Sequence, residues 1–452
     1  MSPALDAPPA DLRSVSEIAD AAVSVDSAVF PAAARRVFAL SLLDWSAVAL
    51  AGRTEPVARI LSDLAQEEAG APQASLVGRP ERVPARMAAL ANGTLSHALD
   101  YDDTHFLHVG HTSVAVVPAA LAIAEKTGAS GRAFLDAGLI GAEAACRVGA
   151  WLGRAHYQAG FHQTATSGAV GAALAAARLL GLSPEAARHA LGVVATRASG
   201  LKSQFGTMGK PFNAGLAASN GVEAALLASC GFVSRPDGLD CVQGFADTHH
   251  AEGGDPAAAL DGFGERFVFE RVEHKLHACC HGLHAALEAL GALRAERAPA
   301  PPAIRAIEIE TNPRWLRVCD IAAPATGLEA KFSYRLTAAM ALAGRDTAAL
   351  ENFSDAACAD PSLLALRDRV SVAADPALGD TVARVRIRFE DGTEAAASHD
   401  LSAETPIEER EAKVLRKAVA LVGEPAAERI RAAVAGLEEG AVEPFAAVLR
   451  SA

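Results

Sequence analysis

Residues 97–111 read His-Ala-Leu-Asp-Tyr-Asp-Asp-Thr-His-Phe-Leu-His-Val-Gly-His, which puts Asp100, Asp102 and Asp103 among His97, His105, His108 and His111. Carboxylates and imidazoles are costly to bury, and imidazole titrates in the range where proton transfer is useful. A carboxylate beside an imidazole fixes its tautomer and raises its basicity, which suits a general acid or base. The spacing leaves two other readings open. His105, His108 and His111 with Asp102 or Asp103 form a zinc-type ligand set. A solvated acidic helix end is the third, although acid at a helix C-terminus opposes the macrodipole. On a helix, Asp100 and Thr104 share one face.

Three more segments carry chemistry-bearing residues. In Gly160-Phe161-His162-Gln163-Thr164, a histidine precedes a Gly/Ala-rich helix, whose N-terminus is a seat for a substrate carboxylate. A core histidine bonded to a cap is the alternative. In Gly206-Thr207-Met208-Gly209-Lys210-Pro211, the lysine is the only basic residue between Lys202 and Arg235. The glycine spacing is not that of a phosphate loop, and proline follows the lysine, so a specific anion contact is the functional reading. In 274–284, His274, His277, His281 and His284 are spaced three, four and three, beside Lys275, Cys279 and Cys280. On a helix they would line one stripe, either as a ligand set or as a polar face.

The elements that must hold these groups are mostly helical. Apolar periodicity and caps predict helices near 12–24, 30–51, 85–101, 113–127, 131–153, 164–182, 184–199 and 212–231. Ser183-Pro184 is an N-cap followed by a first-turn proline, and Gly128, Gly181 and Gly231 stand where helices end. Helices rich in Ala, Gly and Val on every face are expected inside the domain. The pattern changes after about residue 270. Stretches 303–311 and 382–390 alternate as strands, and Asp391-Gly392 marks a hairpin into a strand at 393–398. Helices are expected near 329–344 and 348–354, with a proline-marked linker at Pro299, Pro301 and Pro302. The reading is a mainly α protein: a helical domain over 1–272, a smaller α+β domain over 273–402, and a helical return over 403–452.

The chain has 452 residues, net charge −13 and 51% hydrophobic residues. A large core and two domains follow. The negative charge argues against nucleic-acid binding. The best apolar run, Val37 to Ala51, is short and carries Asp44, so no membrane span is expected. The start, Met1 to Ala10, lacks the basic and apolar regions of a signal peptide, and a cytoplasmic protein is expected. Seven scattered cysteines, with no C-x-x-C pair, predict free thiols rather than a zinc or iron–sulfur centre.

The four segments, in this order, resemble the MmgE/PrpD family, which includes 2-methylcitrate dehydratase, cis-aconitate decarboxylase and iminodisuccinate epimerase. The matching text is Ala91-Asn92-Gly93, His97 through Thr104, Gly110-His111-Thr112-Ser113, Val117-Pro118-Ala119, Gly160-Phe161-His162, Gly206 through Pro211, and Glu329-Ala330-Lys331-Phe332-Ser333. The resemblance implies a helical domain built from both chain ends with an inserted α+β lid, a cleft between them, a homodimer, and no metal or other cofactor. By motif position, Asp100, Thr104, His111, His162 and Lys210 fall on active-site positions, and Lys275 matches a lysine that opens the lid. Three departures from the decarboxylase stand out. Cys280 replaces a histidine, Leu336 replaces a tyrosine, and His277-Ala278 replaces Tyr-Pro, while His284 keeps its place. The expected reaction is proton chemistry beside a carboxylate, led by dehydration of a 2-methylcitrate-like di- or tricarboxylate. Epimerisation and, behind it, decarboxylation are the alternatives, and a metal- or anion-binding scaffold is the non-enzymatic one. Expected roles are His111, His162 and Asp100 in acid–base catalysis, and Thr104, Lys210, Lys275, Cys280 and His284 in substrate binding.

Overall fold

A computed structural model describes residues 14–249, 256–297 and 300–451. The expectations for Met1–Ala10 and Pro299 lie outside the described residues. The protein is mainly α with a small α+β part, and it divides into two units, 1–272 with 425–452, and 273–424.

The first unit is built on α1 (Ala32–Gly52), α2 (Pro56–Glu68), α3 (Ala85–Ser96), α4 (Ser113–Thr127), α5 (Gly131–Ala159), α6 (Gln163–Leu179), α7 (Pro184–Arg197) and α8 (Gly209–Ser229). The signals that start and stop them are local. Ser183 Oγ accepts from Ala186 N and Ser130 Oγ from Ala133 N, each satisfying a first-turn donor. Gly128 and Gly160 end α4 and α5 in the left-handed region. α5 is interrupted at Gly153, which has a non-helical φ of 72°.

α6 is the central helix. It packs against α4, α5, α7 and α8, and every residue from Gln163 to Ala177 is buried. This follows from its small side chains, which allow close approach. A Cβ on Gly171 would lie 2.3 Å from the Gly141 carbonyl oxygen of α5. The crossing of α3 and α8 has the same cause: a Cβ on Gly215 would lie 2.3 Å from the Leu90 carbonyl oxygen. Large apolar groups, Phe38, Trp45, Phe134 and Phe445 among them, fill the remaining space, each stabilising by roughly 1.5–3 kcal/mol on burial. The C-terminal helices α12 (Glu424–Gly436) and α13 (Glu443–Ser451) return here, where Gly78 N donates to Leu449 O and Gly131 N to Gly440 O.

The second unit carries α9 (His284–Arg297), β1 (Ile304–Thr311), α10 (Tyr334–Leu342), β2 (Val370–Ala374), β3 (Val382–Phe389), β4 (Glu394–Asp400) and α11 (Ile407–Val422). The sheet order is β2-β1-β3-β4, with β1 and β2 parallel and the other pairs antiparallel. Ile307 pairs with Ile387 and Ile309 with Val385, so one face is apolar and is covered by α9 and α10. On the other face Arg386 pairs with Glu308. Gly392, at φ 84°, turns the hairpin between β3 and β4. α11 belongs to this unit: Lys413 Nζ lies 2.8 Å from Glu288 Oε2 of α9, and Arg410 Nε donates to His274 Nδ1. The return to the first unit therefore begins at Pro425, later than the change of pattern at residue 403.

The elements expected from the sequence do not include α2, although Val57, Ala58, Leu61 and Ala65 follow helical spacing and Pro56 occupies its first turn, or the short strand β2. Among the described residues no single helix is long and apolar enough to cross a membrane. All seven cysteines are unbridged.

Candidate active site

The loop after α3 departs from the helix expected through residue 101. α3 ends at Ser96, and Asp100 has a φ of 51°. Asp tolerates this left-handed conformation better than most residues. Asp100 and Thr104 consequently share a loop rather than a helix face. Thr104 is partly exposed there.

The loop aims Asp100 and Asp102 at different partners. Asp100 Oδ1 meets Lys210 Nζ at 2.7 Å and lies 3.4 Å from His111 Nε2. Asp102 is fully buried, with Oδ1 2.8 Å from His97 Nδ1 and Oδ2 2.7 Å from His111 Nδ1. Burial alone would raise its pKa, but the two imidazoles outweigh that and hold the carboxyl well below the usual range. The sequence reading assigns an acid–base role to Asp100 and none to Asp102. Asp102 stands instead at the centre of the cluster, on the Nδ1 atoms, and Asp100 faces the lysine.

A second tight turn presents His111. His105 N donates to Gly110 O, and Val109 N donates to His105 O. Closing this turn puts Val109 at φ 56°, a costly conformation for a β-branched residue. His111 N then donates to Thr164 Oγ1 at 3.0 Å, which ties the turn to the first residues of α6.

His162 is the N-cap of α6 and is 2% exposed. Its Nδ1 faces Asn213 Nδ2 of α8 at 3.3 Å. Burial, then the neighbouring His97 and Lys210, hold its pKa well below the usual imidazole range, so the ring is neutral. Its ring centroid is 5.9 Å from that of His97, and Phe205 packs edge-on against it at 4.9 Å. Phe205 also lies 5.2 Å from Lys210 Nζ. Neither Phe205 nor Asn213 has a signal of its own in the sequence, although Asn213 follows the lysine motif by one turn of helix.

The remaining members of the opening cluster face elsewhere. Asp103 accepts from Ser113 N at 3.1 Å and from Ser113 Oγ. Burial, opposed by Ser113 and assisted by Asp44, pushes it up to about 7. His105 Nε2 contacts Val268 O at 2.8 Å, and His108 Nδ1 contacts Ser167 Oγ at 3.1 Å. Burial pushes His108 down to about 3. The ligand set of His105, His108 and His111 therefore does not converge. A different set does: donor atoms of His97, Asp100, Asp102 and His111 lie within 4.8 Å of one another. Within this set His97 Nδ1 is hydrogen-bonded to Asp102 Oδ1, and the Lys210 ammonium occupies the Asp100 side. A divalent cation there would meet a like charge, so the arrangement does not fit a metal centre.

Of the candidates on the second unit, Lys275 and Cys280 do not lie on a helix. Residues 274–280 are irregular, a 3₁₀ turn spans His281–Leu283, and α9 starts at His284. Lys275 is 3% exposed, Cys280 is partly exposed and His284 is 2% exposed. The His284 ring lies 4.8 Å from His281 and 5.0 Å from His277. His284 Nε2 is 3.4 Å from Cys279 O, and burial holds its pKa well below the ordinary value. His277 is fixed by Thr347 Oγ1 at 2.6 Å and Glu288 Oε1 at 3.2 Å. Leu336 is buried in the first turn of α10.

A helical unit that gathers buried imidazoles, carboxylates and Lys210, in a chain that also carries a small α+β unit, defines the class of protein. The MmgE/PrpD N-terminal domain matches residues 16–255 and the MmgE/PrpD C-terminal domain matches 277–439. The chain belongs to the MmgE/PrpD family. It is 32% identical over 268 residues to the cis-aconitate decarboxylase-like protein oryM of Aspergillus oryzae, covering 55% of each chain. It is 32% identical over 231 residues to cis-aconitate decarboxylase of Aspergillus terreus, covering 48% of this chain and 46% of that one. The human cis-aconitate decarboxylase matches over 210 residues at 32% identity, covering 45% and 44%. The chain spans about half the length of the curated relatives it matches.

Proposed function

We propose that the protein is a lyase acting on a di- or tricarboxylate, and that it eliminates water from a 2-methylcitrate-like substrate without a metal. The observation that carries this reading is the joining of Asp100 and His111 with His162 and Lys210, from three separate segments, into one cluster. An α-proton beside a carboxylate is weakly acidic, so its removal needs both a base and a charge that stabilises the enediolate.

His111 is the proposed base. Its Nε2 takes the α-proton, the C–H electron pair is held in the enediolate, and that pair then forms the C=C bond as the C–O bond breaks. Lys210 binds the substrate carboxylate as a point charge and stabilises the anion, with Asp100 holding the ammonium in place until substrate arrives. With Asn213 Nδ2 donating to Nδ1, neutral His162 presents Nε2–H and donates a hydrogen bond to a substrate oxygen. The proton captured by His111 leaves with the hydroxyl as water. Thr104 is a further contact to substrate oxygen. On the second unit, the candidates for substrate contact are Lys275, Cys280 and His284. The family resemblance supports a homodimer as the working form.

Decarboxylation is the second reading, favoured by the names of the relatives. Cys280 and Leu336, at positions where the sequence comparison expects histidine and tyrosine, favour dehydration or epimerisation over it. NMR of candidate polycarboxylates in D₂O with the enzyme separates loss of water, loss of CO₂ and bare α-proton exchange. His162→Ala and Lys210→Ala are expected to abolish turnover while the circular dichroism spectrum stays unchanged. Near wild-type turnover in both would overturn the assignment, and stoichiometric zinc in the purified protein would overturn its metal-free form.

A further inference from the structure

We infer that Phe205 is a specificity-determining residue: it gives the Lys210 carboxylate site an apolar wall that selects substrates carrying an alkyl branch beside the bound carboxylate. The inference rests on the reading of Lys210 and His162 as groups that contact substrate.

The first support is the place of the ring. Phe205 packs edge-on against His162, with centroids 4.9 Å apart and planes at 81°. The same ring faces the Lys210 ammonium, with Nζ 5.2 Å from its centroid. One side chain thus borders both the cation and the imidazole. A carboxylate held by Nζ at a charge-assisted distance of about 2.8 Å brings its α-carbon to this ring. A group on that carbon then meets aromatic carbon at about 3.5–4.0 Å. An alkyl branch gains by leaving water there, whereas a hydroxyl or second carboxylate would lose hydration against a surface that offers no hydrogen bond.

The second support is the way the ring is held. Phe205 N donates to Lys202 O at 2.9 Å and closes the 3₁₀ turn Lys202–Gln204. Lys202 N donates to Gly160 O at 2.8 Å, and His162 N donates to Gly200 O at 2.9 Å. Asn213 Nδ2 of α8 donates to Leu201 O at 3.3 Å. The turn is therefore tied both to the segment that carries His162 and to the helix that carries Lys210. Gly200, at φ 124°, lets it lie against α6, where a Cβ would sit 2.5 Å from Ala165 Cβ. A wall fixed before substrate arrives discriminates well, because little freedom is lost on binding.

The third support is the surface left open. His162 is 2% exposed, and contact with it uses one edge of the Phe205 ring. Phe205 itself is 37% exposed, beside a lysine side chain that is 17% exposed. Shielding His162 accounts for the packed edge, and the open remainder is apolar surface next to an accessible cation.

The test compares kcat/KM for 2-methylcitrate and citrate in the full-length wild type, Phe205→Ala and Phe205→Leu. The two compounds differ by one methyl group on a carbon that bears a carboxylate. Damage to Lys210 or His162 common to both cancels in the ratio, so a purely structural role for the ring leaves the ratio unchanged. A methyl in a closed apolar pocket is worth about 10–200-fold, and a single open wall should supply about three- to tenfold in favour of the methylated compound. Phe205→Ala should bring the ratio to within about twofold of unity, and Phe205→Leu should keep most of the preference. Dissociation constants of the same two probes, by titration calorimetry, should follow the same pattern. An unchanged ratio in a folded Phe205→Ala would overturn the inference, as would a wild type with no preference for the methyl group. Turnover without methyl preference leaves the lyase reading standing and sinks this one. Methyl-selective binding that Phe205→Ala abolishes, with no turnover, does the reverse. Binding of neither probe overturns both.

Discussion

Asp103 is a buried acid whose proton is held more tightly in the folded chain than in the unfolded one, and Asp103→Asn isolates that effect. Burial pushes its pKa up to about 7 from the ordinary 3.8. A raised carboxyl pKa means that the folded state keeps a proton the unfolded state has already lost. The group's contribution to stability is therefore fully present below the unfolded pKa and is lost as pH rises toward the folded one. Each pH unit inside that window is worth about 1.4 kcal/mol. Between about pH 5 and about pH 8, the wild type should lose about 2–3 kcal/mol relative to Asp103→Asn, whose amide does not titrate. The comparison with the variant matters because His108, pushed down to about 3, acts in the opposite sense. His108 must stay neutral to remain folded, so its contribution is lost as pH falls below its unfolded value near 6.5. The two slopes offset each other in the wild type alone. The assay is urea unfolding of both proteins across this range, following the transition of the first unit. An Asn-minus-wild-type difference that does not change with pH would refute the reasoning, as would one that grows toward acid.

Two further perturbations test the scaffold. Val109→Asn places a residue that tolerates φ 56° in the turn before His111. It should raise the thermal midpoint of the first unit by about 2 °C, and a clear fall would show that the turn stores no strain. Gly215→Ala would put a Cβ 2.1 Å from Thr94 Oγ1 and 2.3 Å from Leu90 O. The crossing of α3 and α8 should lose about 1–3 kcal/mol in denaturant unfolding, and turnover should fall because α8 carries Lys210. A neutral result would mean that the crossing can open at no cost.

The local signals in the sequence correspond to local physics. Ser183-Pro184 starts a helix and Gly128 ends one because a cap satisfies backbone groups a few residues away. Asp391-Gly392 turns a hairpin because glycine adopts the positive φ required there. α2 does carry a signal, since Val57, Leu61 and Ala65 recur at helical spacing on its buried face, whereas β2 carries none because only one of its five residues is buried. His277, His281 and His284 do cluster, but through an irregular segment and a 3₁₀ turn instead of a helix stripe.

By itself the sequence determined which side chains were available for proton chemistry, the mainly α architecture with its smaller α+β part, and the family. Those properties depend on residue type and on short-range spacing. Only the tertiary structure decided who partners whom. Asp100 and Lys210 are 110 positions apart and meet at 2.7 Å because glycines let α3 and α8 approach closely. Asp100 and Asp102 are equivalent as letters, yet one faces a cation and the other is sealed between two imidazoles. Asp103, next to them, is raised by burial while Asp102 is depressed by its neighbours. Charge, tautomer and pKa are set by the groups within a few ångströms, and spacing along the chain does not specify those groups.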